Sequence, residues 1–137
     1  MEQTMEAMRY RSDCSEKTDY TNGVTARVMG EVVHLQNRVG IVVDPSGIAA
    51  NALGSLELCG VFRVIKDGTS GPVFTKDDEV YWDHANNLAV AAPGSNIVFM
   101  GIADEAAGTN EDNVKVDINK LPPQMVVGYL VTTTTTT

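Results

Sequence analysis

Gly60-Val61-Phe62-Arg63-Val64-Ile65-Lys66, Asp77-Asp78-Glu79-Val80-Tyr81-Trp82-Asp83 and Ile97-Val98-Phe99-Met100-Gly101-Ile102 are the runs on which the fold turns. Each is short and rich in β-branched and aromatic residues, and each is bounded by Gly, Pro, Asp or Asn. The stretch from Gly60 to Ile102 holds all three Phe, the only Trp and one of the four Tyr. Large aromatic side chains bury the most surface per residue, so much of the core is expected here. The pattern predicts three or four strands, joined by turns at Asp67-Gly68, Asn86-Asn87 and Pro93-Gly94.

The same pattern extends outward on both sides. Downstream, Val114, Val116 and Ile118 alternate strictly with Lys115 and Asp117, which marks a half-buried strand. Upstream, Glu31–Leu35 and Arg38–Val43 flank Gln36-Asn37 as a β-hairpin with a polar tip. Asp44-Pro45-Ser46-Gly47 is a turn, because Pro sets φ and Gly relieves the exit. Ala49–Gly54 reads as a small-residue turn that winds into one loose helical turn, and Leu56 and Leu58 re-enter a sheet. In the run beginning at Gly60, Phe62 and Val64 share one face, and Val61, Arg63 and Ile65 share the other. A face that must accommodate Arg63 belongs in water or at a subunit contact.

The two ends read differently from the middle. Residues 1–18 are expected as an N-terminal arm, with Arg9-Tyr10-Arg11 its most basic spot. That spot is either a solvated segment leading into a strand near Met8 or a contact for an acidic partner surface. Residues 119–137 are expected as a C-terminal arm. Leu121-Pro122-Pro123 is extended and cannot continue a ladder. Met125–Val131 is apolar and β-prone and runs into six threonines. Exposed alone it is an aggregation hazard, so a strand added to a neighbour or partner is expected. Fully extended, the arm spans roughly 60 Å.

Composition excludes several classes of function. A formal charge of -8 repels a phosphate backbone, so no nucleic-acid partner is expected. No apolar run approaches the ~20 residues of a membrane span, and no signal-type segment opens the chain. Cys14 and Cys59, without a secretory signal, are expected as free thiols. His34 and His84 have no metal-type spacing, and His34 reads as an ordinary strand histidine. Asp104, Glu105, Glu111 and Asp112 lack the alternation of a calcium loop. There is no P-loop, no Gly-x-Ser-x-Gly elbow and no Cys-x-x-Cys. Asp77, Asp78, Glu79 and Asp83 cluster beside a turn rather than across a cleft, as a glycosidase requires. No catalytic residue, cofactor or metal is therefore expected, and no enzyme.

Asp19-Tyr20-Thr21-Asn22-Gly23, the run from Gly40 to Gly54, Gly60–Lys66, Glu79–Asp83 and Gly101-Ile102-Ala103 follow one another in an order and spacing that resembles the tailed-phage capsid decoration, or cement, proteins. That family was long catalogued as a domain of unknown function and is sometimes labelled a RecA/RadA-type recombinase; the missing P-loop argues against that label. The resemblance covers roughly Asp19 to Ile118. It implies an all-β knob, usually trimeric, on the outside of a phage head, and supplies no catalytic residues. This chain differs by its longer arms.

The expectations are therefore an all-β fold, a small compact β-barrel or β-sandwich-like knob over residues 19–118 with an arm at each end. The expected partners are the major capsid protein and further copies of the chain in a homotrimer, in the virion on the outer capsid surface. Candidate capsid contacts are Arg9, Tyr10, Arg11, Val126, Val127, Tyr129, Leu130 and Val131. Candidate trimer contacts are Val61, Arg63 and Ile65. A head fibre or host-surface adhesion module is the alternative from another class.

Overall fold

The computed structural model describes residues 6–11, 16–69 and 71–121. Among these there are ten strands and no helix: β1 (Ala7–Arg11), β2 (Lys17–Thr21), β3 (Val32–His34), β4 (Val39–Ile41), β5 (Leu53–Glu57), β6 (Val61–Ile65), β7 (Glu79–Asp83), β8 (Leu88–Val90), β9 (Ile97–Ala103) and β10 (Asn113–Ile118). They form a six-stranded sheet in the order β1-β6-β10-β9-β7-β8 and a four-stranded sheet in the order β2-β5-β4-β3. All the pairings between these strands are antiparallel. Of the two expected forms, the sandwich-like one is correct, and the sheets do not close into a barrel.

The period of two explains which residues make the core. In β6, Phe62 and Val64 point inward; in β7, Val80 and Trp82; in β10, Val114, Val116 and Ile118, all buried. They meet Val39, Ile41 and Val32 from the smaller sheet, with Phe74 and Ala107 arriving from loops that bridge to each other. The smaller sheet is buried on its second face too, where Val33, Val42, Ile48 and Leu56 cluster under Tyr20 and Leu35. Consecutive residues such as Ile41 and Val42 are both buried for this reason.

Gly101 sits where β9 carries an extra residue against β7, so that Val80 faces Gly101 and Tyr81 faces Phe99. Its φ is 151°, and a Cβ there would lie 2.2 Å from the Asp117 carbonyl oxygen. Only glycine fits this bulge. The expected helical turn at Ala49–Gly54 is instead a tight turn, with Asn51 in the left-handed region at φ 62°. Asn tolerates that conformation, and the Asn22 side chain, reaching the carbonyls of Ile48 and Ala49, holds the loop non-helical.

The N-terminal segment is not wholly outside the core. Ala7–Arg11 is the edge strand of the larger sheet, paired with β6, and Ala7 is buried. The chain then passes to the smaller sheet, where Lys17 pairs with Glu57. The link from β5 to β6 leads from the smaller sheet to the larger, with Leu58 N donating to Glu16 O and Arg11 opposite Val61. Cys59 lies in that link and is disulfide-bonded, which corrects the expectation of free thiols. Cys14 lies outside the described residues. Strands β5 and β6, joined by that link, thus pair with β2 and β1 respectively, an arrangement that sequence spacing did not reveal.

Candidate interaction surface

The candidate contacts on β1 divide according to which face of the sheet they join. Ala7 and Arg9 stand opposite Val64 and Phe62, so both belong to the inner face. The Arg9 guanidinium accordingly turns under the sheet edge, 5.8 Å from the Phe62 ring, and meets the Glu57 carboxylate at 2.6 Å. Glu57 is 2% exposed, and a buried carboxylate needs a partner of opposite charge. Much of Arg9's charge is thus committed within the chain, although its side chain remains 41% exposed.

Tyr10 follows a different course. The register shift between Arg9 and Arg11 inserts it as the extra residue of a bulge, and it is half exposed on the outer face. Lys115 Nζ stands 3.8 Å from the centre of its ring, and the Arg63 guanidinium 5.3 Å. Both cations lie within cation–π range. Lys115 also pairs with Glu105 at 3.1 Å, and that hydrogen bond, with a lesser one to Tyr10, raises its pKa. Arg63 is exposed and reaches Asn113 Oδ1 at 3.4 Å. Met8, opposite Arg63, adds an exposed apolar side chain to the same row.

Residues assigned to two different contacts are therefore neighbours: Tyr10 as a capsid contact, Arg63 as a trimer contact. Val61 is buried within the chain itself and offers no surface, whereas Ile65 is half-buried with part of its side chain against the core. Arg11 pairs through its backbone with Val61. Val126, Val127, Tyr129, Leu130 and Val131 lie outside the described residues. Lys115 was missed, although it occupies a polar position of the strictly alternating strand; cross-strand register, not spacing, puts it beside Tyr10.

Around the edge of β1 opens an apolar groove of about 370 Å³, lined by Met8, Met29, Ile41, Val43 and Phe62 among others. Met8, Val28 and Met29 are exposed apolar side chains. Several of the acidic residues have structural partners. Asp78 accepts from Thr75 N, Asp83 from Ala85 N and Asn86 N, and Glu111 from Gly108 N. Carboxylates that cap turns in this way are not arranged as acid and base across a cleft. Among the described residues no group of three His, Cys, Asp or Glu is placed to hold a metal ion.

A protein-family model described as phage cement protein matches residues 14–118. The match begins after β1, so the edge strand carrying Met8 and Tyr10 lies outside it. No curated protein and no solved structure matches the chain.

Proposed function

Because the chain belongs to the phage cement proteins, a family of structural, capsid-binding virion proteins, we propose that it decorates the outer surface of a phage head, against the major capsid protein, and stabilises the mature shell. The observation that carries the finer reading is the outer edge of β1. There an exposed Tyr10 lies within cation–π range of two cations beside exposed Met8, in a chain whose formal charge is -8. Aromatic residues, Met and Arg are the types enriched at protein interfaces.

A bound protein that spans several capsid subunits adds its binding free energy to the assembled shell alone. Three linked copies bind more tightly than one, which is the advantage of a homotrimer with Arg63 and Ile65 near its contacts. The C-terminal arm supplies a second element. Burying its apolar side chains contributes several kcal/mol at about 25 cal/mol per Å². Ordering its backbone opposes this by roughly 1–2 kcal/mol per residue, so strand hydrogen bonds to a neighbour must supply the balance.

The test is co-sedimentation of the purified chain with DNA-free expanded heads that lack it. Binding that raises shell heat resistance is expected. Tyr10→Ala or deletion of Met125–Thr137 should each weaken it. Absence of binding by the full chain overturns the reading; undiminished binding by both variants moves the contact to another face. Sedimentation should show a trimer, and a stable monomer both free and on shells contradicts that part.

A further inference from the structure

The chain has two histidines, fifty residues apart in sequence, and the fold stacks one on the other. His34 ends β3 in the smaller sheet; His84 opens the turn after β7 in the larger one. Their ring centroids are 3.6 Å apart and their planes differ by 9°. His84 is fixed from behind by its backbone N donating to Asn96 O, and His34 by pairing with Val39. The contact joins the tips of two hairpins that belong to different sheets.

The surroundings do not favour a doubly charged stack. Two protonated rings would place two positive charges within van der Waals distance. Arg27 adds a third positive charge on the His34 side, though it is shared with Glu31 at 3.6 Å. On the other side, Asp83 interacts with His84, but its carboxylate already accepts from Ala85 N, Asn86 N and Asn86 Nδ2. Burial, then His84, then Arg27 hold the His34 pKa below the ordinary imidazole value. A depressed folded-state value means that the contribution to stability is present above the unfolded pKa and lost as pH falls through the folded one.

We propose that the His34–His84 stack is an acid-released latch between the two sheets, closed when the rings are neutral and opened when both are protonated. Opening frees the β3–β4 tip from the β7–β8 tip, so that the hydrogen bond closing each tip frays while the rest of each ladder holds. The latch belongs to the isolated chain and needs no capsid.

Amide hydrogen exchange on the purified full chain tests it, with Leu35 N–H, which donates to Arg38 O, and Asn87 N–H, which donates to Asp83 O, as reporters of the two tips. Rates are corrected for the intrinsic effect of pH. Protection of both tips in the wild-type chain should fall about two- to tenfold between pH 7.5 and pH 5, the range expected for losing one aromatic pair. His34→Gln and His84→Gln should each show the lowered protection already at pH 7.5 and little further change. Wild-type protection that does not fall, or variants as protected as wild type at pH 7.5, would overturn the latch. Protection of Val116 in the core strand β10 serves as the control that each variant is folded.

Discussion

The side-chain amide of Asn119 holds the backbone of Val39 as a strand partner would, although eighty residues separate them. Asn119 Nδ2 donates to Val39 O at 2.7 Å, and its Oδ1 accepts from Val39 N at 3.0 Å. The same Nδ2 reaches Leu58 O at 2.8 Å, and Asn119 N donates to Met100 O at 2.6 Å. One residue past β10 thus ties the larger sheet to the start of β4 and to the β5–β6 crossing. Its φ of 61° is left-handed, a conformation Asn tolerates better than most residues.

Asn119→Ala should therefore be costly. It removes three side-chain hydrogen bonds to partly buried backbone groups and places a Cβ-bearing residue without a compensating side chain in the left-handed region. A loss of about 2–4 kcal/mol is expected in denaturant unfolding. Asn119→Gly, which relieves only the backbone, should recover about 1 kcal/mol of it. An alanine variant within 0.5 kcal/mol of wild type would show that the bonds are replaced by water at no cost.

Arg9→Ala should destabilise the chain by about 1–3 kcal/mol, less than for a wholly buried pair because the guanidinium is partly solvated. A double-mutant cycle with Glu57→Gln isolates the pair and should give a coupling above about 0.5 kcal/mol. Additive effects would mean that the contact at 2.6 Å contributes little beyond its two members.

Tyr81 donates its hydroxyl to Glu79, and this bond, with burial and the nearby carboxylate charge, pushes its pKa up to about 12. A raised folded-state value contributes stability that is complete below the unfolded pKa of about 10 and lost as pH rises through about 12. Ultraviolet titration should show one late-ionising phenol that Tyr81→Phe abolishes. A Tyr81→Phe chain that retains the late step would assign it to another tyrosine.

Trp82 is fully buried, and its indole Nε1 meets no hydrogen-bonding atom among the described residues. As the only tryptophan it should give blue-shifted emission that acrylamide barely quenches, both lost on unfolding. Trp82→Ala should cost about 3–5 kcal/mol from lost burial and the cavity left behind. Native emission as quenchable as that of the unfolded chain would contradict this packing.

The strands were legible because their apolar residues alternate at the strand period. Val114, Val116 and Ile118 were expected buried and are; the hairpin tip at Gln36-Asn37 and the four strands between Gly60 and Ile102 also stand where the pattern put them. What local pattern could not show was long-range registry. Arg9 looks like a surface cation until Ala7 and Arg9 are placed opposite Val64 and Phe62. Glu57, a polar residue at a buried position, depends on Arg9, a partner that only the fold supplies. The stacking of His34 on His84 and the grip of Asn119 on Val39 are likewise invisible to spacing. Of the candidate surface, Tyr10 and Arg63 were singled out for separate reasons, while Lys115, which joins them, was not.

An electron-microscopy map of intact heads carrying this chain tests the central claim most directly. The account predicts density for the two-sheet knob on the outer face of the shell, with the β1 edge and Tyr10 against the major capsid protein or a second copy of the chain. Density on a fibre remote from the shell, or on heads with the β1 edge facing solvent and the opposite side docked, would contradict it.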